Sequence, residues 1–173
     1  MPPCAGRRRQ PVFRYRSAVG TCVLITGMSG VGKSSLLGEL AARGHHTVDT
    51  DYGDYHQTVD GESLWRADRI DALLSAHREG LLFVSGTTRN QTVFYSRFAH
   101  IVLLSAPADV LTERLTTRRT NPYGQDPAEL AETLGHVETV EPLLRAAATV
   151  EVVTTVPVER VADIVLAHVS AHP

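Results

Sequence analysis

Apolar residues in this chain fall into short blocks, each followed by a longer stretch in which they recur every three or four positions. The blocks are CVLIT (22–26), HTVD (46–49), LLFVS (81–85), HIVLLS (100–105) and TVEVVT (149–154). Short, nearly continuous apolar runs of this kind predict strands buried on both faces. Helical spacing lies at about 32–43, 62–79, 107–119, 127–147 and 157–170. The helix near 127 has a marked start, with Asp126 as N-cap, Pro127 in the first turn and Glu129 three residues after the cap. Pro142 removes a donor inside the same stretch and is expected to break it in two. Strands alternating with helices predict an α/β fold, a parallel sheet covered on both sides.

Composition and charge narrow the class. The 173 residues, 43% hydrophobic and 21% charged, suit one globular domain with a real core. Cys4 and Cys22 are too few for a disulfide framework, and Cys22 opens an apolar block as a small buried hydrophobe would, so a cytoplasmic setting is the default expectation. No apolar stretch approaches the ~18 residues of a membrane helix. Arg7, Arg8 and Arg9 have no apolar segment behind them, which argues against a secretory signal. Residues 1–20 hold five arginines and no acids, while the rest carries 12 basic against 19 acidic residues. The acidic body gives no clear nucleic-acid site. The division expected is a disordered basic extension over 1–20 and one domain over 21–173. The eight histidines show no metal spacing, and Trp65, at helical spacing, reads as core.

The chemistry is concentrated in GMSGVGKSS. Gly27, Gly32, Lys33 and Ser34 fit the pattern G-x-x-x-x-G-K-[ST], between a predicted strand and a predicted helix, and Gly30 adds freedom inside the loop. In such a loop the backbone N–H groups of Gly27, Met28, Ser29, Gly30, Val31, Gly32, Lys33, Ser34 and Ser35 can turn inward around phosphate oxygens. The helix N-terminus adds partial positive charge. Lys33 reaches the β- and γ-phosphates, and the Ser34 hydroxyl is a Mg²⁺ ligand. ATP and Mg²⁺ are therefore the expected cofactors. A carboxylate for the metal is missing from LLFVS, whose strand end carries Ser85 and Gly86 instead. Asp49 and Asp51 at the end of strand two face the same crevice, since ligands collect at the carboxyl ends of parallel strands. One of the pair suits the water shell of Mg²⁺, and the other suits orienting or deprotonating an acceptor hydroxyl.

Further candidates surround that crevice. Arg89 and Asn90 lie just past the end of the third strand. Arg114 and Arg118 are four apart and so share a helical face, with Arg119 adjacent. Like charges so placed repel unless an anion lies between them, which suits a clamp on a transferring phosphoryl group.

GMSGVGKSS, then DTD (49–51) and GESLWR with Gly61, Glu62, Trp65 and Arg66, resembles the shikimate kinases within the nucleoside monophosphate kinase group of P-loop folds. The resemblance covers most of residues 21–170 and is also compatible with an AAA-type ATP-binding domain. It implies a three-layer P-loop NTPase fold with a five-stranded parallel sheet and a helical lid at about 107–126. It implies Asp49 in the outer magnesium shell, Asp51 on the acceptor hydroxyl, and Arg66 and Gly86 on the acceptor. It also implies lid arginines closing over ATP and a loop around Pro157 beside the adenine. Three departures argue against shikimate as substrate. Gly86, Thr87 and Thr88 stand for the family's G-G-G turn, Val140 for its second carboxylate-clamping arginine, and NPYG (121–124) for its lid pattern.

These readings converge on a P-loop kinase, monomer or dimer, transferring the γ-phosphoryl of MgATP to a small-molecule acceptor through a hydroxyl. Two alternatives stay open: a nucleoside monophosphate kinase using Arg66 and Arg89 on the acceptor phosphate, and an ATP-binding module that regulates a protein or RNA partner.

Overall fold

The computed structural model describes residues 20–119 and 122–172. The basic segment 1–19 with Cys4, and Asn121 of the NPYG turn, lie outside the described residues. In chain order the first half holds β1 (Thr21–Thr26), α1 (Lys33–Ala42), β2 (His46–Asp49), β3 (His56–Val59), β4 (Glu62–Trp65), α2 (Ala67–Ala76) and β5 (Leu81–Ser85). A 3₁₀ segment (Arg89–Arg97) follows, then β6 (His100–Ser105), α3 (Ala108–Thr117), α4 (Pro127–Thr139), α5 (Glu141–Ala147), β7 (Val150–Val153) and α6 (Val158–Ala171).

Five of the strands form one sheet in the order β2-β5-β1-β6-β7, with every neighbouring pair parallel. This is the α/β three-layer arrangement that the alternation of strands and helices predicts. Side chains alternate between faces along each strand, so each of the inner strands feeds two cores. Val23, Ile25, Leu81, Phe83, Val102 and Leu104 pack on one side with α1 and α6. Cys22, Leu24, Leu82, Val84 and Ile101 pack on the other with Trp65, α2 and the 3₁₀ segment. Truncating a fully buried side chain such as Phe83 to Ala would cost about 3–5 kcal/mol. Arg43 ties α1 to α6 through an ion pair with Asp163 at 2.8 Å, while also holding Glu39 one turn back. Among the described residues no helix is long and apolar enough to cross a membrane.

The structure departs from the sequence-based elements at two places. The helix expected over 62–79 starts only at Ala67, because 62–65 is β4, paired antiparallel with β3. The cause is the Asp60-Gly61 turn, with φ of 51° and 82° at its two central residues. Such a turn matches the twist of a two-residue hairpin. A 3₁₀ segment, opened by a capping box of Thr88 and Gln91, fills the connection after β5 where no helix is expected. The stretch 127–147 divides at Val140, with Pro142 in the first turn of α5, as the proline predicts. Asp126 Oδ1 accepts from Ala128 N at 2.8 Å, but Glu129 reaches back to Gly124 N at 2.7 Å rather than to the cap residue.

Because all five strands run the same way, the residues after β1, β2 and β5 emerge together. The loop Gly27–Gly32, the segment Asp49–Tyr52 and the hydroxyls of Ser85 and Thr87 therefore meet at one edge of the sheet.

Candidate functional site

The loop between β1 and α1 takes its shape from close packing. Gly27 has φ 142°, and a Cβ there would stand 2.2 Å from the carbonyl oxygen of Leu104. Gly32 caps α1 in the left-handed conformation, with no side chain bonded to the exposed N–H groups and no acid in the first turn. A helix N-terminus left open in this way fits an anion. Thr87 holds the loop from the β5 side: its hydroxyl donates to Gly27 O at 2.8 Å and lies 3.2 Å from both Gly27 N and Thr26 Oγ1.

Lys33 folds over this loop, its ammonium donating to Gly27 O at 2.7 Å and Met28 O at 3.2 Å. Burial pushes the ammonium below the ordinary lysine range, with Asp51 and Asp49 pulling the other way. Ser34 Oγ donates to Asp49 Oδ2 at 2.6 Å. Ser85 Oγ donates to Asp49 Oδ1 at 3.0 Å, and the two residues stand directly opposite each other in the β2–β5 pairing. At the end of LLFVS there is thus a hydroxyl that holds a carboxylate supplied by the neighbouring strand. Thr50 Oγ1 donates to Ser85 O at 2.7 Å and accepts from Trp65 Nε1 at 2.9 Å, which fixes the end of β2. Among the described residues no cluster of three or more His, Cys, Asp or Glu side chains is placed to hold a metal. Ser34 and Asp49 together fit Mg²⁺, which takes few protein ligands and completes its shell with phosphate oxygens and water.

A cleft of about 850 Å³ opens over the loop. Its wall holds Ser29–Leu36 of the loop and α1, Asp51 and Tyr52 from the segment after β2, and Arg114, Thr117 and Arg118 from the end of α3. Thr154, Val156, Val158 and Val161 close the remaining side, next to Pro157, the cap residue of α6. Arg114 donates to Thr154 Oγ1 at 2.9 Å, to Thr154 O and, at 3.4 Å, to Gly30 O. Arg118 donates to Tyr123 O and, at 3.4 Å, to Ser29 Oγ. Lys33, Arg114 and Arg118 thus converge on the loop, donating to carbonyl and hydroxyl oxygens. Arg119 is exposed and stands outside the cleft wall.

The other expected acceptor residues are placed differently. Arg66 pairs with Asp54 at 2.6 Å and Asp68 at 3.4 Å, and Arg89 pairs with Glu62 at 2.6 Å. Asn90 accepts from Trp65 N at 3.0 Å and donates to Trp65 O at 2.9 Å, so its amide clamps the end of β4. Gly86 is buried, and a Cβ there would stand 2.5 Å from both Thr50 Oγ1 and Trp65 Cζ2. None of these four lines the cleft. Sequence reasoning missed Ser85, Thr87, Tyr52 and Thr154. The run Ser85-Gly86-Thr87-Thr88 was the available signal, three hydroxyls where a strand meets the phosphate crevice.

Sheet order, phosphate loop and the Ser34–Asp49 pair together define a P-loop nucleotide-binding fold. The chain belongs to the AAA domain family, which matches residues 23–135. Among curated proteins none matches. Among solved structures the chain is similar to shikimate kinase from Acinetobacter baumannii in complex with shikimate, at 16% identity and a TM-score of 0.63, over 89% of this chain and 95% of that one. It is similar to a gluconokinase from Sinorhizobium meliloti 1021 at 19% identity and a TM-score of 0.58, over 87% and 92%. A sugar kinase from Janibacter sp. HTCC2649 gives 21% identity and a TM-score of 0.58, over 87% and 95%. At these identities the likeness is one of fold.

Proposed function

We propose that the protein is an ATP-dependent phosphotransferase acting on a hydroxyl of a small molecule. The observation that carries this reading is the convergence of Lys33, Arg114 and Arg118, none of them paired with a carboxylate among the described residues, on a phosphate loop in an open cleft. Magnesium-bound ATP would supply the phosphoryl group and the metal's neutralising charge.

The chain's own residues would do the rest. Loop amides and Lys33 hold the β- and γ-phosphate oxygens, and Ser34 with Asp49 holds the metal. Arg114 and Arg118 meet the charge that spreads over the transferring oxygens, the main demand of this reaction. Asp51, an exposed residue of the cleft wall, would orient the acceptor hydroxyl and take its proton. The acceptor oxygen bonds to phosphorus, the bond to the departing diphosphate oxygen breaks, and ADP leaves. Val156 and Val158 give the base an apolar wall on the side of Pro157.

The test is ADP release from MgATP over a panel of hydroxyl compounds, with Lys33→Ala as blank. Acceptor-stimulated release that disappears in Lys33→Ala and Asp51→Asn supports the reading. Slow hydrolysis that no acceptor accelerates would count against it and favour a module whose nucleotide state serves a partner.

A further inference from the structure

The acceptor end of the cleft has a charge character of its own. Beyond Lys33, Arg114 and Arg118 at the phosphate end, the one charged residue in the cleft wall is Asp51. Beside it stands Tyr52, a residue 67% exposed. Three guanidinium groups lie on the neighbouring elements, and each already holds a carboxylate. Arg66 holds Asp54 and Asp68, Arg69 holds the same two at 3.0 and 3.8 Å, and Arg89 holds Glu62. The polar groups nearest the end of β5 are also engaged, with the amide of Asn90 on the Trp65 backbone and the surface of Gly86 under the Trp65 ring.

We propose that the acceptor is a hydroxyl compound that is uncharged or cationic, and that carboxylate- or phosphate-bearing acceptors are disfavoured. This rests on the phosphotransferase reading above and specifies its substrate class. Recognition of a planar anion uses a guanidinium fork with both arms available. An anionic acceptor drawing Arg66 away would leave Asp54 and Asp68 to share Arg69, so the negative charge on this side would not fall. It would also approach Asp51 and the transferring phosphate, both anionic, while the nearby guanidinium groups stay paired with their own carboxylates. A neutral polyol meets no such cost. An ammonium-bearing one gains from Asp51 and from the face of the Tyr52 ring.

The experiment measures kcat/KM of the full chain with MgATP on matched pairs: a hexose and its hexonic acid, a nucleoside and its 5′-monophosphate. An aminocyclitol glycoside serves as the cationic member. In every pair that reacts, the member without the anion is expected to be faster by at least about tenfold. Anionic members reacting equally well or better would overturn the proposal and leave the phosphotransferase reading standing. If nothing on the panel reacts, and Lys33→Ala behaves like the parent chain, both fall together. The double variant Asp54→Asn, Asp68→Asn frees Arg66 and is expected to narrow the preference several-fold. An unchanged ratio in that variant would refute the charge argument.

Discussion

In the wall of the cleft Lys33, Arg114 and Arg118 rest on carbonyl and hydroxyl oxygens, whereas outside it, toward the proposed acceptor end, Arg66, Arg69 and Arg89 rest on carboxylates. The same residue types thus present opposite faces to a ligand. A cation held by neutral oxygens keeps its charge for whatever enters; one held by a carboxylate has largely given it up. Counting arginines near a crevice therefore says little until their partners are known. This difference is what the proposed preference for an acceptor without an anionic group rests on.

The contrast is best broken at its strongest point. Lys33→Ala removes the cation nearest the loop and should lower acceptor-dependent ADP release roughly 10³-fold, with an unfolding midpoint close to that of the parent. Activity within a few fold of the parent would refute the assignment. Asp51→Asn tests the opposite end and should lower kcat about 10²-fold with little change in the affinity for MgATP, read by single-turnover kinetics beside nucleotide binding. Gly86→Ala probes the seam between the ends: its Cβ would crowd Thr50 and Trp65, costing about 1–3 kcal/mol in denaturant unfolding.

A control lies away from both ends, where His100 opens β6. It is buried, its Nε2 is unpartnered, and its ring stands edge-on to His168 on α6. Burial pushes both imidazoles below the ordinary histidine range, with neighbouring histidines acting in the same direction. In the folded state they resist protonation, so the unfolded chain binds more protons as pH falls below about 6.5. Stability should be level above that pH and decline below it by about 1 kcal/mol per pH unit for each such group. His100→Phe should flatten part of that decline, and an equal slope in the variant would dismiss the assignment. The smallest effect belongs to Arg89→Ala, which severs an exposed ion pair with Glu62 and should change stability by less than about 1 kcal/mol.

How much of this was legible in the sequence follows the same division. The phosphate loop is a contiguous stretch whose work is done by backbone, so Gly27 to Ser35 could be read directly, and the apolar blocks placed all five strands of the sheet. The meeting of Asp49 with the phosphate loop was also readable, because strand ends in a parallel sheet must meet and Asp49 is the last residue of its strand. The acceptor end depends on contacts between distant residues, such as Arg89 with Glu62 and Asn90 with Trp65. No local pattern announces those. The hairpin of β3 and β4 was missed for another reason: helical spacing after Gly61 outweighed the Asp-Gly turn, although that dipeptide was the better signal. Trp65 read correctly as core, yet its hydrogen bond to Thr50 belongs to tertiary structure alone.

That last bond has a practical consequence. Trp65 is the chain's single tryptophan, it is fully buried, and its indole N–H ends on the residue following Asp49. The protein therefore carries a built-in optical probe one residue removed from Asp49, the carboxylate proposed for magnesium. Its emission can be followed in unlabelled protein while nucleotide, magnesium and acceptor are added one at a time.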